Sequence, residues 1–135
     1  MATNIFVNLP VRDLDATKAF FSTLGFTFNA QFTGDTAAAL VIDEGIYFML
    51  LTHAKFDEFI TLPRSDARKE TQALYCLSRD SRAEVDKMVD AALKAGATEP
   101  RPSADHGFMY SRTFADLDGH IWEFMWMDPG FVQPQ

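Results

Sequence analysis

A single carboxylate lies within the most apolar segment of the chain. Residues 115–127 read ADLDGHIWEFMWM, and after the turn DLDG the only charged side chain is Glu123. A carboxylate in apolar surroundings costs free energy unless it is paired or hydrogen-bonded. Glu123 therefore faces water, pairs with a cation or takes part in chemistry, and we predict it as the candidate catalytic residue.

Strand alternation gives Glu123 an expected orientation. Neighbouring side chains of a strand point to opposite faces, so Trp122 and Phe124 should pack against helices while Glu123 faces a cavity. The segment FMYSRTF supplies a candidate partner, Arg112, on the face that it shares with Phe108, Tyr110 and Phe114. The sequence leaves open whether Glu123 forms a buried pair with Arg112 or contacts a ligand, and the two roles are compatible.

Two halves of the chain have the same order of predicted elements. Each begins with a strand-like segment, IFVNLPV or ALYCLS, which runs into an Arg-Asp pair. A helical stripe follows, with Asp13 as a predicted N-cap in the first half and Ser81 with Glu84 as a capping box in the second. Gly25 and Gly96 are where these helices should stop. Strand-like segments complete each half, so the sequence predicts β-α-β-β-β twice.

This duplication predicts an α+β fold in a single domain. Two tandem βαβββ modules are expected to form a curved mixed sheet around a concave cavity, with helices outside. Module one covers about residues 4–53, a linker about 54–71, module two about 72–128 and a tail 129–135. Within the linker, Phe56, Phe59 and Ile60 are expected to form a docked helical turn.

Composition narrows the classes of partner and location. The 135 residues carry a net charge of −7 and a pI of about 4.8, which disfavours nucleic acid and anionic membranes as partners. The lone Cys76 excludes an intrachain disulfide and a multi-cysteine zinc site. No segment is long enough to span a bilayer and no basic-then-apolar leader opens the chain, so a cytoplasmic location is expected.

The chain contains the motifs NLPVRDL, FF and LGF, the two βαβββ halves and the closing segment DLDGHIWE. Through these features it resembles the vicinal oxygen chelate superfamily over about residues 4–128. This superfamily includes lactoylglutathione lyase (glyoxalase I), bleomycin-resistance proteins, fosfomycin-resistance enzymes and extradiol dioxygenases. Within this superfamily, the amino-acid sequence is most similar to those of proteins described as predicted lactoylglutathione lyases. The resemblance implies a homodimer, and it implies that Glu123 stands where metal-using members have a cavity-facing ligand.

The other ligand positions of the superfamily do not carry metal-binding residues in this chain. The first-strand position falls at Phe6, with Asn8 on the same face, and its counterpart in the second half falls at Gln72 or, with a slip of one, at Ala73. The counterpart of Glu123 in the first half falls at Phe48, or at Met49 or Leu50. A divalent ion requires three or more protein ligands, so no cofactor is predicted. A divalent metal is retained as the alternative.

None of the three histidines occupies a superfamily ligand position. His53 follows the strand LLT, and His120 shares strand parity with Trp122, so His120 should face away from Glu123. His106 lies in the loop before FMYSR, near the cavity mouth that the resemblance implies. We therefore retain only His106 as a candidate.

Two functions follow from these residues. The first is the binding of a small apolar or cationic molecule in an aromatic-lined cavity without a complete metal site, as in bleomycin-resistance proteins. The alternative is a metal-dependent lyase or isomerase of the lactoylglutathione lyase type, with Glu123 as ligand and base. The predicted substrate-binding residues are Phe6, Asn8, Phe48, Gln72, His106, Tyr110 and Arg112.

Overall fold

The computed structural model describes residues 2–131. The described residues divide into two compact units, with the boundary between Ser65 and Asp66. The strands are β1 (Ile5–Val11), β2 (Thr27–Asn29), β3 (Ala37–Asp43), β4 (Ile46–Thr52), β5 (Leu74–Ser78), β6 (Ala104–Asp105), β7 (Met109–Ala115) and β8 (Ile121–Met127). The helices are α1 (Leu14–Thr23), α2 (His53–Asp57) and α3 (Arg82–Lys94), with a short 3-10 turn at Ala30–Phe32.

The first unit contains a four-stranded mixed sheet in the order β1-β4-β3-β2. The edge strand β1 runs parallel to β4, and the other pairs are antiparallel. A parallel pair needs a long crossover connection, and α1 with β2 and β3 supplies it. One face of this sheet is buried through Leu40, Phe48 and Leu50, while α1 buries Phe20 and Phe21.

The ends of α1 follow from local sequence. Asp13 has extended backbone angles, and its Oδ1 accepts a hydrogen bond from the Ala16 amide at 3.1 Å, as expected of an N-cap. The chain leaves the helix through Gly25, whose φ of +98° is a conformation that glycine adopts without a steric cost. The predicted start and end of this helix are confirmed.

The second unit repeats the arrangement. Its sheet has the order β5-β8-β7-β6, with β5 parallel to β8 and α3 packed on β7 and β8. The Glu84 amide donates to Ser81 Oγ at 3.1 Å, which confirms Ser81 as the N-cap. The core of this unit is made of aromatic strand residues and aliphatic helix residues: Phe114, Trp122, Phe124, Val85, Val89 and Ala92.

The predicted α+β fold with two βαβββ modules is confirmed. Each module builds its own four-stranded sheet, and the division between the units, after Ser65, falls within the predicted linker. Of the predicted docked helical turn at Phe56, Phe59 and Ile60, only Phe56 lies within α2, which contacts β1 and β4, and Phe59 is exposed. Residues 132–135 of the predicted tail lie outside the described residues.

Between residues 2 and 131, none of the helices has both the length and the apolar character needed to cross a bilayer.

Candidate functional site

Glu123 lies in the middle of β8, between a strand on each side. Its register partners are Thr113 in β7 and Cys76 in β5, while Trp122 and Phe124 are fully buried. The alternation predicted for these three residues of β8 is therefore observed. Across the strands, the Cys76 Sγ lies 3.8 Å from Glu123 Oε1.

The Cys76 thiol is held in its protonated form. Partial burial of the sulfur raises its pKa to about 11, and the nearby charge of Glu123 and the hydrogen bond to it act in the same direction. A thiol becomes a strong metal ligand and nucleophile only as the thiolate. At neutral pH, Cys76 therefore acts as a weak donor to the Glu123 carboxylate.

The ion pair between Arg112 and Glu123, one of the two roles that the sequence left open, does not form. Antiparallel pairing places Thr113 opposite Glu123, whereas Arg112 lies opposite Phe124 and points to the face covered by α3. There the guanidinium donates to Glu99 at 3.0 and 3.1 Å, to Asp90 at 2.9 Å and to Asp86 at 3.1 Å. The hydrogen bonds to Glu99 are the main cause that raises the pKa of Arg112 above its ordinary value.

Tyr110 belongs to the same cluster as Arg112. Its hydroxyl donates to Asp86 Oδ1 at 2.6 Å, which raises the pKa of the phenol. The two predicted substrate-binding side chains border a shallow depression of about 420 Å³, formed with Glu99, Arg101 and Ser103 among others. Because all three guanidinium nitrogens already donate to carboxylates, Arg112 ties the sheet to α3 and to Glu99.

A buried carboxylate, Asp116, organises the turn before β8. Its Oδ1 accepts from the amides of Asp118 (2.9 Å) and His120 (3.0 Å), and its Oδ2 accepts from Trp122 Nε1 at 2.9 Å. Burial raises the pKa of Asp116, while the nearby His120 opposes the rise. The sequence indicates the turn through its D-x-D-G motif, but it gives no signal for the bond to Trp122.

Gly119 lets this turn pack closely against the preceding segment. Its φ is +89°, and a Cβ at this position would lie 2.7 to 2.9 Å from atoms of Arg68 and Ala67. Such distances are shorter than carbon contacts allow, so a side chain would displace the segment. Together, Asp116 and Gly119 fix the point where β8 begins and thereby the position of Glu123.

The first unit contains a cleft on the exposed face of its sheet. Its volume is about 490 Å³, within the roughly 300–1,000 Å³ typical of small-molecule sites. The ring of Phe6 stacks on Tyr47 with centroids 5.0 Å apart and planes inclined by 16°. The lining residues are Asn4, Phe6, Asn29, Phe32, Ala39, Tyr47 and Met49.

Sequence reasoning identified this cleft only in part. Phe6 lines it as predicted, and Asn8 lies two residues further along β1, where its Nδ2 donates to the Phe6 carbonyl at 3.3 Å. The assignment of Phe48 to the cavity is wrong, because Phe48 is buried on the opposite face. Of the two alternative positions, Met49 lines the cleft, whereas Leu50 is buried.

Five lining residues were not among the predicted site residues: Asn4, Asn29, Phe32, Ala39 and Tyr47. Tyr47 shares strand parity with Met49, so the alternation within GIYFMLLTH would have identified it once the register was known. Asn29 and Phe32 lie at the ends of the 3-10 turn, which has no periodic pattern in the sequence.

The remaining candidates, Gln72 and His106, lie in loops. Gln72 is exposed and precedes β5, and the strand position opposite Glu123 is occupied by Cys76 instead. His106 is exposed between β6 and β7, with its ring centroid 6.3 Å from that of Phe108.

The side chains around Glu123 do not fit a divalent metal. No group of three or more His, Cys, Asp or Glu residues that could hold a metal ion occurs in the part of the chain from residue 2 to residue 131. Across the strands, Glu123 meets one protonated thiol and the hydroxyl-bearing Thr113. Hard divalent ions need several oxygen or nitrogen ligands, which this donor set lacks.

Comparison with known proteins gives one match at the level of sequence families. The family described as "Bleomycin resistance protein-like N-terminal" matches residues 3–41, from the start of β1 into β3. None of the curated proteins compared with the chain matches it.

Solved structures show the same fold over nearly the whole chain. A glyoxalase/bleomycin resistance protein/dioxygenase family enzyme from Burkholderia phytofirmans is 20% identical with a TM-score of 0.76, covering 93% of this chain and 99% of that one. A glyoxalase-related enzyme from Fulvimarina pelagi is 19% identical, with a TM-score of 0.79 and coverage of 93% and 88%. A fosfomycin resistance protein from Listeria monocytogenes is 18% identical, with a TM-score of 0.68 and coverage of 93% of both chains. The chain therefore has the fold of the vicinal oxygen chelate superfamily and a bleomycin-resistance-like N-terminal part, which confirms the resemblance inferred from its sequence.

Proposed function

We propose that the chain is a small-molecule-binding protein whose site is the aromatic cleft of the first unit. The observation that supports this most directly is the stack of Phe6 on Tyr47 at the wall of a cleft of about 490 Å³. Concave sites lined by aromatic and aliphatic side chains with a few polar groups are typical of small-molecule binding. The cleft has this composition, because its lining consists of two asparagines and five apolar or aromatic residues.

The exposure of the cleft's phenylalanines supports a ligand that covers them. Phe6 is 56% exposed and Phe32 is 58% exposed, although both could have been placed in the core. Burying about 100 Å² of apolar surface stabilises a complex by roughly 2.5 kcal/mol before the costs of association. A ring compound that covers both phenylalanines would be stabilised by the burial of this exposed apolar surface.

The family match supports binding without turnover. The matched residues 3–41 include β1, Asn29 and Phe32, and thus much of the cleft. We infer that the chain holds its ligand as a resistance protein holds a drug, by sequestration, and that no residue of the cleft needs to transfer a proton. The asparagines, Met49 and the aromatic residues of the cleft suit this role.

The binding of 2-acetylnaphthalene, measured by isothermal titration calorimetry, tests the proposal. Phe6→Ala should weaken binding about tenfold or more, because it removes one stacking surface worth about 1.4 kcal/mol or more. Phe59→Ala is the matched control, since Phe59 is 69% exposed in the same unit and does not line the cleft. Equal effects of the two substitutions, or no binding to the unsubstituted protein, would refute the proposal.

The alternative function, a metal-dependent lyase, receives less support. Glu123 has the strand parity expected of a ligand, but its neighbours across the strands are a protonated thiol and Thr113. Metal content measured after incubation with Ni²⁺, Zn²⁺, Mn²⁺ or Fe²⁺ distinguishes the two functions. One equivalent per chain that is lost in Glu123→Gln would favour the lyase, and no metal in either protein would favour sequestration.

The resemblance also leads us to propose a homodimer. Sedimentation velocity of the full chain measures this directly, and a species of twice the mass of the 15.2 kDa chain is expected.

A further inference from the structure

We infer that the aromatic cleft of the first unit selects an uncharged, planar ligand that presents a hydrogen-bond acceptor to Asn29. This inference rests on the proposed function and specifies the chemistry of its ligand. It narrows the earlier expectation of an apolar or cationic molecule to the neutral class. Three features of the cleft carry it: the charge of its lining, the geometry of its rings and the orientation of Asn29.

The lining of the cleft contains no ionisable group other than the Tyr47 phenol. Its polar side chains are the amides of Asn4 and Asn29. The chain's net charge of −7 is therefore not concentrated at this site, and an ammonium ion in the cleft would lack a carboxylate partner. Desolvating an unpaired ion costs several kcal/mol, whereas a cation near an exposed ring gains only about 0.5–1 kcal/mol. The balance favours a neutral ligand.

The rings favour a planar ligand. Phe6 lies nearly parallel to Tyr47, so one face of Phe6 is covered while more than half of its surface stays exposed. Offset stacking on the uncovered side extends this arrangement by one ring. Phe32 adds a second exposed aromatic side chain to the lining. A flat ring system can contact both phenylalanines, whereas a compact aliphatic molecule would leave one of them in water.

Asn29 is a pre-oriented hydrogen-bond donor. Its Oδ1 accepts from the Gln31 amide at 3.0 Å as the cap of the 3-10 turn, which settles which end of the amide is the oxygen. Its carbonyl accepts from Thr33 Oγ1 at 2.8 Å, which further fixes the turn. Among residues 2–131, no hydrogen bond engages Nδ2 of Asn29, so this group is free to donate to a ligand. A half-buried donor favours ligands with a carbonyl or ring nitrogen.

A series of naphthalene probes that differ only in the substituent at position 2 tests the inference by calorimetry. The probes are 2-acetylnaphthalene, 2-naphthyltrimethylammonium and naphthalene-2-sulfonate. The acetyl compound should bind the unsubstituted protein at least about tenfold more tightly than either ion, because neither ion finds an opposite charge. Circular dichroism and thermal unfolding of every variant confirm that it folds.

One substitution should reverse this preference. Asn29→Asp keeps the oxygen that caps the 3-10 turn but replaces the donor with a carboxylate. We expect the trimethylammonium probe to bind about tenfold more tightly to this variant, and the acetyl probe about tenfold more weakly. Ser22→Asp is the matched control, because it adds the same charge at an exposed position of α1 outside the lining and should change either affinity less than about twofold.

The outcomes separate this inference from the proposed function. If the trimethylammonium probe binds the unsubstituted protein as tightly as the acetyl probe, or if Asn29→Asp leaves both affinities unchanged, the inference fails while the binding function stands. If no probe binds, both fail. If Phe6→Ala changes the oligomeric state and probe binding is absent, the aromatic face is a protein interface, which also refutes both.

Discussion

The two modules place different chemistry at equivalent positions of the same backbone. Asn8 lies opposite Met49 in the first module, and Cys76 lies opposite Glu123 in the second. Asn8 and Cys76 each precede the N-cap of the following helix by five residues. In the first module this face carries aromatic and amide groups, whereas in the second it carries a carboxylate and a thiol. The comparison indicates that this sheet face can change its chemistry without altering the core that maintains the fold.

The modules also differ in how each sheet joins its helix. In the first module α1 buries Phe20 and Phe21, and the contact is apolar. In the second module α3 buries Val85 and Val89, and its carboxylates also bind Arg112 of β7. The charged residues of the second module thus serve partly to hold the sheet to the helix.

The largest expected effect concerns the turns before the last strand of each module. Asp116→Ala should lower the free energy of unfolding by about 3 kcal/mol, because the amides of Asp118 and His120 and the Trp122 indole lose a buried acceptor. Asp43→Ala, in the corresponding exposed turn, should cost less than about 0.5 kcal/mol. Urea unfolding followed by tryptophan fluorescence and by circular dichroism measures both. Equal losses would show that the buried carboxylate has no special structural role.

A smaller loss of stability is expected from the ion cluster of the second module. Arg112→Met should lower the free energy of unfolding by about 2 kcal/mol, since Asp86, Asp90 and Glu99 lose their shared partner. The loss is no larger because water already solvates these partly exposed carboxylates. Arg64→Met removes a pair with Asp57 in the first unit, where the arginine is more exposed than Arg112, and should cost about 0.5 kcal/mol or less. A cost for Arg112→Met no larger than that control would contradict the structural role of the cluster.

The smallest effect concerns the thiol beside Glu123. Because the pKa of Cys76 is about 11, the rate of its alkylation by iodoacetamide should be low at pH 8. The rate should increase with pH until the pH reaches about 11, where the thiolate becomes abundant. The folded pKa exceeds the ordinary value of 9.0, so the folded state holds this proton more tightly and stability should fall as pH rises from 9 to 11. Glu123→Gln removes one cause of the shift and should accelerate alkylation severalfold at pH 8, whereas Glu99→Gln should not. An unchanged rate in Glu123→Gln would contradict the proximity of the two groups.

Local sequence signals predicted the elements well. Helix ends depend on residues that are close along the chain and can therefore be read from the sequence. This holds for the N-caps Asp13 and Ser81 and for the end of α1 before Gly25. Strand alternation also predicted correctly that Trp122 and Phe124 flank Glu123 on the buried side. These predictions hold because each depends on residues within one helical turn or one strand.

Predictions that need the pairing of distant strands were less successful. A slip of one residue moves a side chain to the other face of a sheet, which is why Phe48 was chosen where Met49 lines the cleft. Alternation grouped Arg112 with Tyr110 and Phe114 but could not indicate that this set faces α3 rather than Glu123. Asn29 and Phe32 lie at an irregular turn whose position depends on tertiary structure.

The most direct test of the comparison locates a ligand on one of the two faces. Met49 lines the aromatic cleft, and Met125 lies on the face that carries Glu123, so protein labelled with ¹³C at its methionine methyl groups reports on both. On addition of 2-acetylnaphthalene, the ring current of the bound probe should shift the Met49 methyl resonance while the Met125 resonance stays in place. A shift of Met125 with Met49 unchanged would place the ligand beside Glu123 and contradict the assignment of the binding site to the first module.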